Sequence, residues 1–97
     1  MVKITVIKKA LFTDIAELES NENIDECPCF SLGQQFLLKN IDDIPNDFCS
    51  WAWADIQRDI AMIAFGAKPE PKLKNSNSII SCCTEGLRPV VFKIEKL

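Results

Sequence analysis

The sequence predicts a small α+β domain, one unit spanning residues 1–97, and three observations lead to that class. Residues alternate apolar and polar at both ends of the chain. One long helical stretch occupies the middle. Two apparent strands close the sequence around a short turn. The 47 % hydrophobic content suits a folded globule rather than a disordered tail. A chain of 97 residues suffices for one core and no second domain.

Val2 to Lys8 reads as the first strand, with Val2, Ile4 and Val6 on one face. A short helix comes next, capped by Thr13 or Asp14 and running through Leu18. Asp14 and Glu17 have capping-box spacing. Ser20 to Glu26 is polar and reads as loop. Gln35 to Lys39 reads as a second strand entered through a turn at Gly33, and Asn40 to Asp47 as a loop containing Pro45.

Ser50 to Phe65 carries the strongest helical signal, with Ser50 as N-cap and Gly66 as stop. Ala52, Trp53, Ile56, Ile60, Ile63 and Ala64 share one face, which should be the core face. Trp51, Met62 and Phe65 fall nearly opposite, beside Arg58. That second apolar arc suggests self-association, a homo-oligomer formed through Trp51, Met62 and Phe65. Ala67 to Asn77 reads as a linker with Pro69 and Pro71. Ser78 to Cys83 and Arg88 to Lys96 read as an antiparallel hairpin, its turn Thr84-Glu85-Gly86-Leu87 using positive φ at Gly86. The order is β-α-β-α-β-β, with the first strand a natural neighbour of the hairpin.

Composition excludes several chemistries. Histidine is absent, which removes histidine zinc sites and every Ser-His or Cys-His pair. The net charge is −3, with 14 acids against 11 bases, and the nearest approach to a basic block is Lys68 to Lys74. That balance argues against nucleic acid as a partner. No apolar run approaches the roughly 20 residues that span a membrane, so no membrane partner is expected. The N-terminus lacks the apolar core of a signal peptide, and a cytoplasmic location is expected.

Chemistry then falls to Cys27, Cys29, Cys49, Cys82 and Cys83. Their odd number, with no secretion signal, argues against a disulfide framework. Three stretches contain them: Cys27-Pro28-x-Phe30-x-x-Gly33-Gln34-x-Phe36, then Phe48-Cys49-Ser50-Trp51-Ala52-Trp53-Ala54-Asp55-Ile56, then Cys82-Cys83-Thr84-Glu85-Gly86-Leu87-Arg88-Pro89-Val90-Val91-Phe92-Lys93-Ile94. Together they resemble an uncharacterised family of proteins of about this length, common in anaerobic microbes. The resemblance covers nearly the whole chain and implies a pattern without an activity. The pattern matches Cys27, Cys49, Cys82 and Cys83. Cys29 looks like an addition particular to this chain, and Glu85 stands where the family often has Asp.

Four thiols without histidine could form an all-cysteine zinc or iron–sulfur site from Cys27, Cys49, Cys82 and Cys83. The spacing opposes it: there is no C-x-x-C pair, and on a regular strand Cys82 and Cys83 face opposite ways. Both reach one site only if the strand bulges or the turn begins at Cys83. A reactive thiol is the other option. Cys49 precedes a helix start, where the dipole and free N–H groups favour a thiolate. Arg88 is the best cation to assist it, and Asp55, inside the matched motif, could orient a donor or ligand. Arg58 and Asp59 read as a solvated face. Trp53 reads as core, and Trp51 as lining for a pocket or interface. Three functions are consistent with these residues, in descending order. The first is a cysteine-dependent protein binding a metal or small electrophile through Trp51, Cys82, Cys83 and Arg88, near Cys49. The second is an interaction domain whose cysteines are inert core residues. The third is a small thiol enzyme with Cys49, Arg88 and Asp55 as its catalytic candidates.

Overall fold

The structure, a computed structural model, describes residues 1–67 and 73–97. Pro69, Pro71 and most of the Lys68–Lys74 stretch lie outside the described residues. The elements are β1 (Val2–Lys9), α1 (Thr13–Glu19), β2 (Gln35–Leu38), α2 (Ser50–Ala64), β3 (Ser78–Cys82) and β4 (Val90–Lys96). The predicted α+β class and β-α-β-α-β-β order are those observed. The strands form one antiparallel sheet in the order β2-β1-β4-β3, so the first and last strands of the chain lie at its centre.

Alternation along the two central strands divides the sheet into two unlike faces. Val2, Ile4 and Val6 of β1 and Val90, Phe92 and Ile94 of β4 are buried. Across the strands, Ile4 sits opposite Ile94, and Val6 opposite Phe92. α2 covers this face with Ala52, Trp53, Ile56, Ile60 and Ile63, five of the six residues expected on its core stripe. Ala64, the sixth, is half-buried against the same core. The other face has no helix among the described residues. At its centre Lys3 and Lys93 both reach Glu95, at 3.7 and 3.6 Å. A register shift between Val6 and Lys8 leaves Ile7 in a bulge, which explains why alternation falters there.

The ends of α2 depart slightly from expectation. Cys49, rather than Ser50, is the N-cap, with extended backbone, and Ser50 opens the helix. Gly66 ends it at φ +88°. The Ala67 N–H donates to Met62 O (3.0 Å) and the Gly66 N–H to Ile63 O (3.1 Å), the paired bonds of a Schellman stop. α1 differs more. Position 12 holds its N-cap, no side chain caps it, and none of its residues is buried. The Asp14–Glu17 spacing therefore forms no capping box. This short helix is held instead by the chain before it: Ala10 N–H donates to Pro89 O and Phe12 N–H to Leu87 O, at 2.9 and 2.8 Å.

Two turns border the cysteine-bearing segments. Gly33, at φ +83°, lets the Ser31–Gln34 turn fold back so that its N–H donates to Val6 O at 2.8 Å. Gly86 does not adopt positive φ, contrary to expectation. The carboxylates of Asp55 and Glu85 shape the 84–88 turn instead, through the Thr84 and Leu87 N–H groups.

Phe92 is fully buried at the centre of this core. Phe92→Ala is expected to cost about 3–5 kcal/mol by urea unfolding. Against a total of about 5–15 kcal/mol for an ordinary domain, that would leave the protein marginal at best. A loss below about 1 kcal/mol would contradict the packing described.

Candidate functional site

Five aromatic rings assemble the site. Phe30 meets Phe48 edge-on with centroids 5.0 Å apart, and meets Phe92 at 5.2 Å. Phe48 in turn contacts Phe36 at 4.8 Å, Trp53 at 5.8 Å and Phe92 at 5.7 Å. Phe30 and Phe48 are buried. Each adjoins a cysteine in sequence, Cys29 before Phe30 and Cys49 after Phe48. Docking the two rings on each other therefore delivers both thiols to the same side of the core.

The result is a pocket of about 430 Å³ between the start of α2, the Cys27–Phe30 segment and the turn after β3. Cys27, Cys29, Cys49 and Cys83 line it, with Phe30, Trp51, Ala52, Asp55 and Arg88. All five cysteines of the chain are free thiols. Cys27, Cys49 and Cys83 are half-buried and pack against the core; Cys29 is exposed. Exposed as it is, Cys29 is held above the ordinary thiol pKa first by partial desolvation in the pocket wall and then by the neighbouring Cys27 and Cys49 thiols.

Cys29 thus belongs to the site, although its residue pattern marked it as incidental. Cys82 does not. It pairs with Val91 on the face away from α2 and is exposed. Cys83 continues on the core side: its N–H donates to Val90 O at 3.1 Å, and its Sγ accepts from the Val90 N–H at 3.3 Å. β3 ends at Cys82 and the connection to β4 begins at Cys83, which meets one of the two conditions, yet Cys82 stays on the outer face and does not line the pocket. The set Cys27, Cys49, Cys82 and Cys83 is accordingly not gathered. Among the described residues, no group of three or more Cys, Asp or Glu side chains is disposed to hold a metal ion.

Two carboxylates fix the turn to α2. Asp55 Oδ2 accepts from the Thr84 N–H at 2.8 Å and from the Thr84 hydroxyl at 3.0 Å. One helical turn on, Asp59 Oδ2 accepts from the Ser81 hydroxyl at 2.6 Å. Asp59 is thus a tie to β3 rather than part of a solvated face. Arg58 does stay in solvent, its side chain 84 % exposed. Asp55 sits in the pocket wall, but its oxygens are engaged in holding the turn, which makes it a positioning residue.

Glu85 organises the other half of the turn. It accepts from the Leu87 N–H at 2.9 Å and from Arg88 Nε at 3.1 Å. The Leu87 bond, followed by Arg88, holds its carboxyl below the usual glutamate range despite partial burial. Arg88 also donates through Nη1 to Asp25 O at 3.4 Å. Arg88 and Cys49 line the same pocket, a proximity that the sequence does not show, but part of the guanidinium charge is already matched by Glu85. Phe30, Ala52, Thr84 and Glu85 were not foreseen as site residues. The adjacency of Phe30 and Phe48 to cysteines was the available signal.

Trp51 forms the rim and is 80 % exposed, while Trp53 is buried. A separate hollow of about 450 Å³ lies between α1 and the loop after it, lined by Thr13, Glu17, Ser20 and Asn21 among others. It carries no cysteine and no cation, so it offers no comparable chemistry. No helix among the described residues is long and apolar enough to cross a membrane. Comparison with protein-family models, curated proteins and solved structures found no match to this chain.

The raised pKa of Cys29 has a direct kinetic consequence. Its thiolate fraction near neutral pH is lower in the folded protein than in the unfolded chain, and the thiolate is the attacking form. Iodoacetamide should therefore modify Cys29 more slowly in native protein than in urea. The gap should narrow as pH rises past the ordinary thiol value of about 8.5. Peptide mapping against time at several pH values would measure this, and equal rates at neutral pH would refute it.

Proposed function

We propose that this chain is a small thiol-dependent binding protein whose pocket receives a compact, largely apolar electrophile. One observation supports the reading above others: four of five cysteines, from three distant segments, line a single pocket. Phe30, Trp51 and Ala52 supply apolar wall and Arg88 a polar end, the mixture typical of small-molecule sites. Cys49 is the N-cap residue of α2, so the start of the helix carries one wall of the pocket.

Cys82, exposed on the opposite face of the sheet, provides an internal control. With substoichiometric N-ethylmaleimide at neutral pH, under argon, Cys49 should be alkylated ahead of Cys82 although it is less exposed. Cys82 outpacing every pocket thiol would sink the proposal and leave the cysteines as core filler.

A second reading rests on a separate observation. Trp51 and Phe65 are 80 % and 81 % exposed on the outer face of α2, with Met62 half-buried between their turns. Self-association through this face would cover them. Light scattering of the wild type should then give a mass above 10.9 kDa at high concentration. Phe65→Glu should restore the monomer at a stability cost within about 0.5 kcal/mol, as for a surface change. A wild-type monomer throughout would end that reading.

A further inference from the structure

We infer that the pocket selects its electrophile by charge, admitting uncharged reagents and holding off anionic ones. This selection rests on the reading that the pocket receives a small electrophile, and it gives that electrophile its chemical class. An arginine in a small-molecule site is ordinarily an anchor for carboxylate or phosphate. Arg88 is already committed elsewhere. Its Nε donates to Glu85 Oε2 at 3.1 Å, an ion pair within the turn, and its Nη1 donates to Asp25 O at 3.4 Å. The carboxylate that holds it shares the same pocket wall.

Asp55 then tips the balance. Among the described residues that line the pocket, Asp55, Glu85 and Arg88 are the charged ones, two negative against one positive, for a net −1. The hydrogen bonds that Asp55 accepts come from the Thr84 N–H and hydroxyl, neutral donors that leave its charge uncancelled. The approach to the pocket has the same sign. Asp25 and Glu26 are exposed immediately before Cys27, and the sequence has no Lys or Arg between Lys9 and Lys39, or between Lys39 and Arg58. An anionic reagent would meet repulsion from Asp55 with the pocket's guanidinium already paired. It would also lose water against Phe30, Trp51 and Ala52. An uncharged amide or carbonyl electrophile escapes both costs.

Iodoacetamide and iodoacetate test this, being nearly equal in size and different in charge. With either reagent the thiolate sulfur bonds the methylene carbon and iodide leaves. The full chain is reduced under argon, and alkylation of each cysteine is followed by peptide mass spectrometry, in native protein and in urea. At low salt the iodoacetate-to-iodoacetamide rate ratio at Cys49 should be about threefold or more lower in native protein than in urea, the effect of one nearby unit charge. The drop should shrink as salt rises. Cys82, outside the pocket, should show no such drop. Asp55→Asn, which keeps an acceptor for Thr84, should return the Cys49 ratio toward its value in urea. Glu85→Gln, which releases Arg88, should do so as well, and circular dichroism checks that both variants are folded. Prompt alkylation of native Cys49 by iodoacetamide with an unchanged wild-type ratio would reject charge selection and leave the pocket reading intact. A drop that persists at high salt and in both variants would also overturn it, since charge would not be its cause. Failure of iodoacetamide to modify native Cys49 at all would reject the pocket reading together with the selection.

Discussion

The contact on which the rest depends is the edge-to-face meeting of Phe30 and Phe48 over Phe92. Phe92 belongs to the central strand β4, Phe48 to the approach to α2, and Phe30 to a segment with no regular structure. Without Phe30 the stretch from Ser20 to Gly33 would have little reason to lie on the core, because most of its other residues are polar or exposed. An aromatic pair of this kind contributes about 0.5–1.5 kcal/mol beyond the area it buries. That is enough to choose between a docked and an undocked loop. The site is thus in part a by-product of core packing, with Cys29 and Cys49 carried in by the rings beside them.

The second constraint is the two-residue repeat of a strand. Cys82 and Cys83 are adjacent in sequence, yet the pleat assigns them to opposite faces of the sheet. One becomes a solvent-side thiol and the other a wall of the pocket. Because β3 keeps regular pairing with β4 to its last residue, nothing offsets that separation. The ties from Asp55 and Asp59 to Thr84 and Ser81 then hold this strand end against α2, so the Cys83 wall keeps its place.

The fold was largely legible because its signals are local. Val90, Phe92 and Ile94 alternate in sequence as they do in space, and the Ile56–Ile60–Ile63 stripe marks the covered side of α2. The site was harder because its making is not local. Nothing in the order of residues shows that Phe30 packs on Phe48, so Cys29 looked incidental beside Cys27 when it is a neighbour of Cys49 as well. Asp59 looked like surface because its partner, Ser81, lies 22 residues on. Gly86 looked like a turn residue needing positive φ, and the structure uses Glu85 to shape that turn instead. The one-residue shift of the α2 cap to Cys49 is small in sequence but places the thiol at the helix start itself.

The open face of the sheet has its own consequence. Glu95, held between Lys3 and Lys93, occupies the middle of a surface that a second layer would have to cover. Covering it would strip water from three charges at once, a cost that their mutual attraction seldom offsets. An apolar second layer is therefore disfavoured over this part of the sheet.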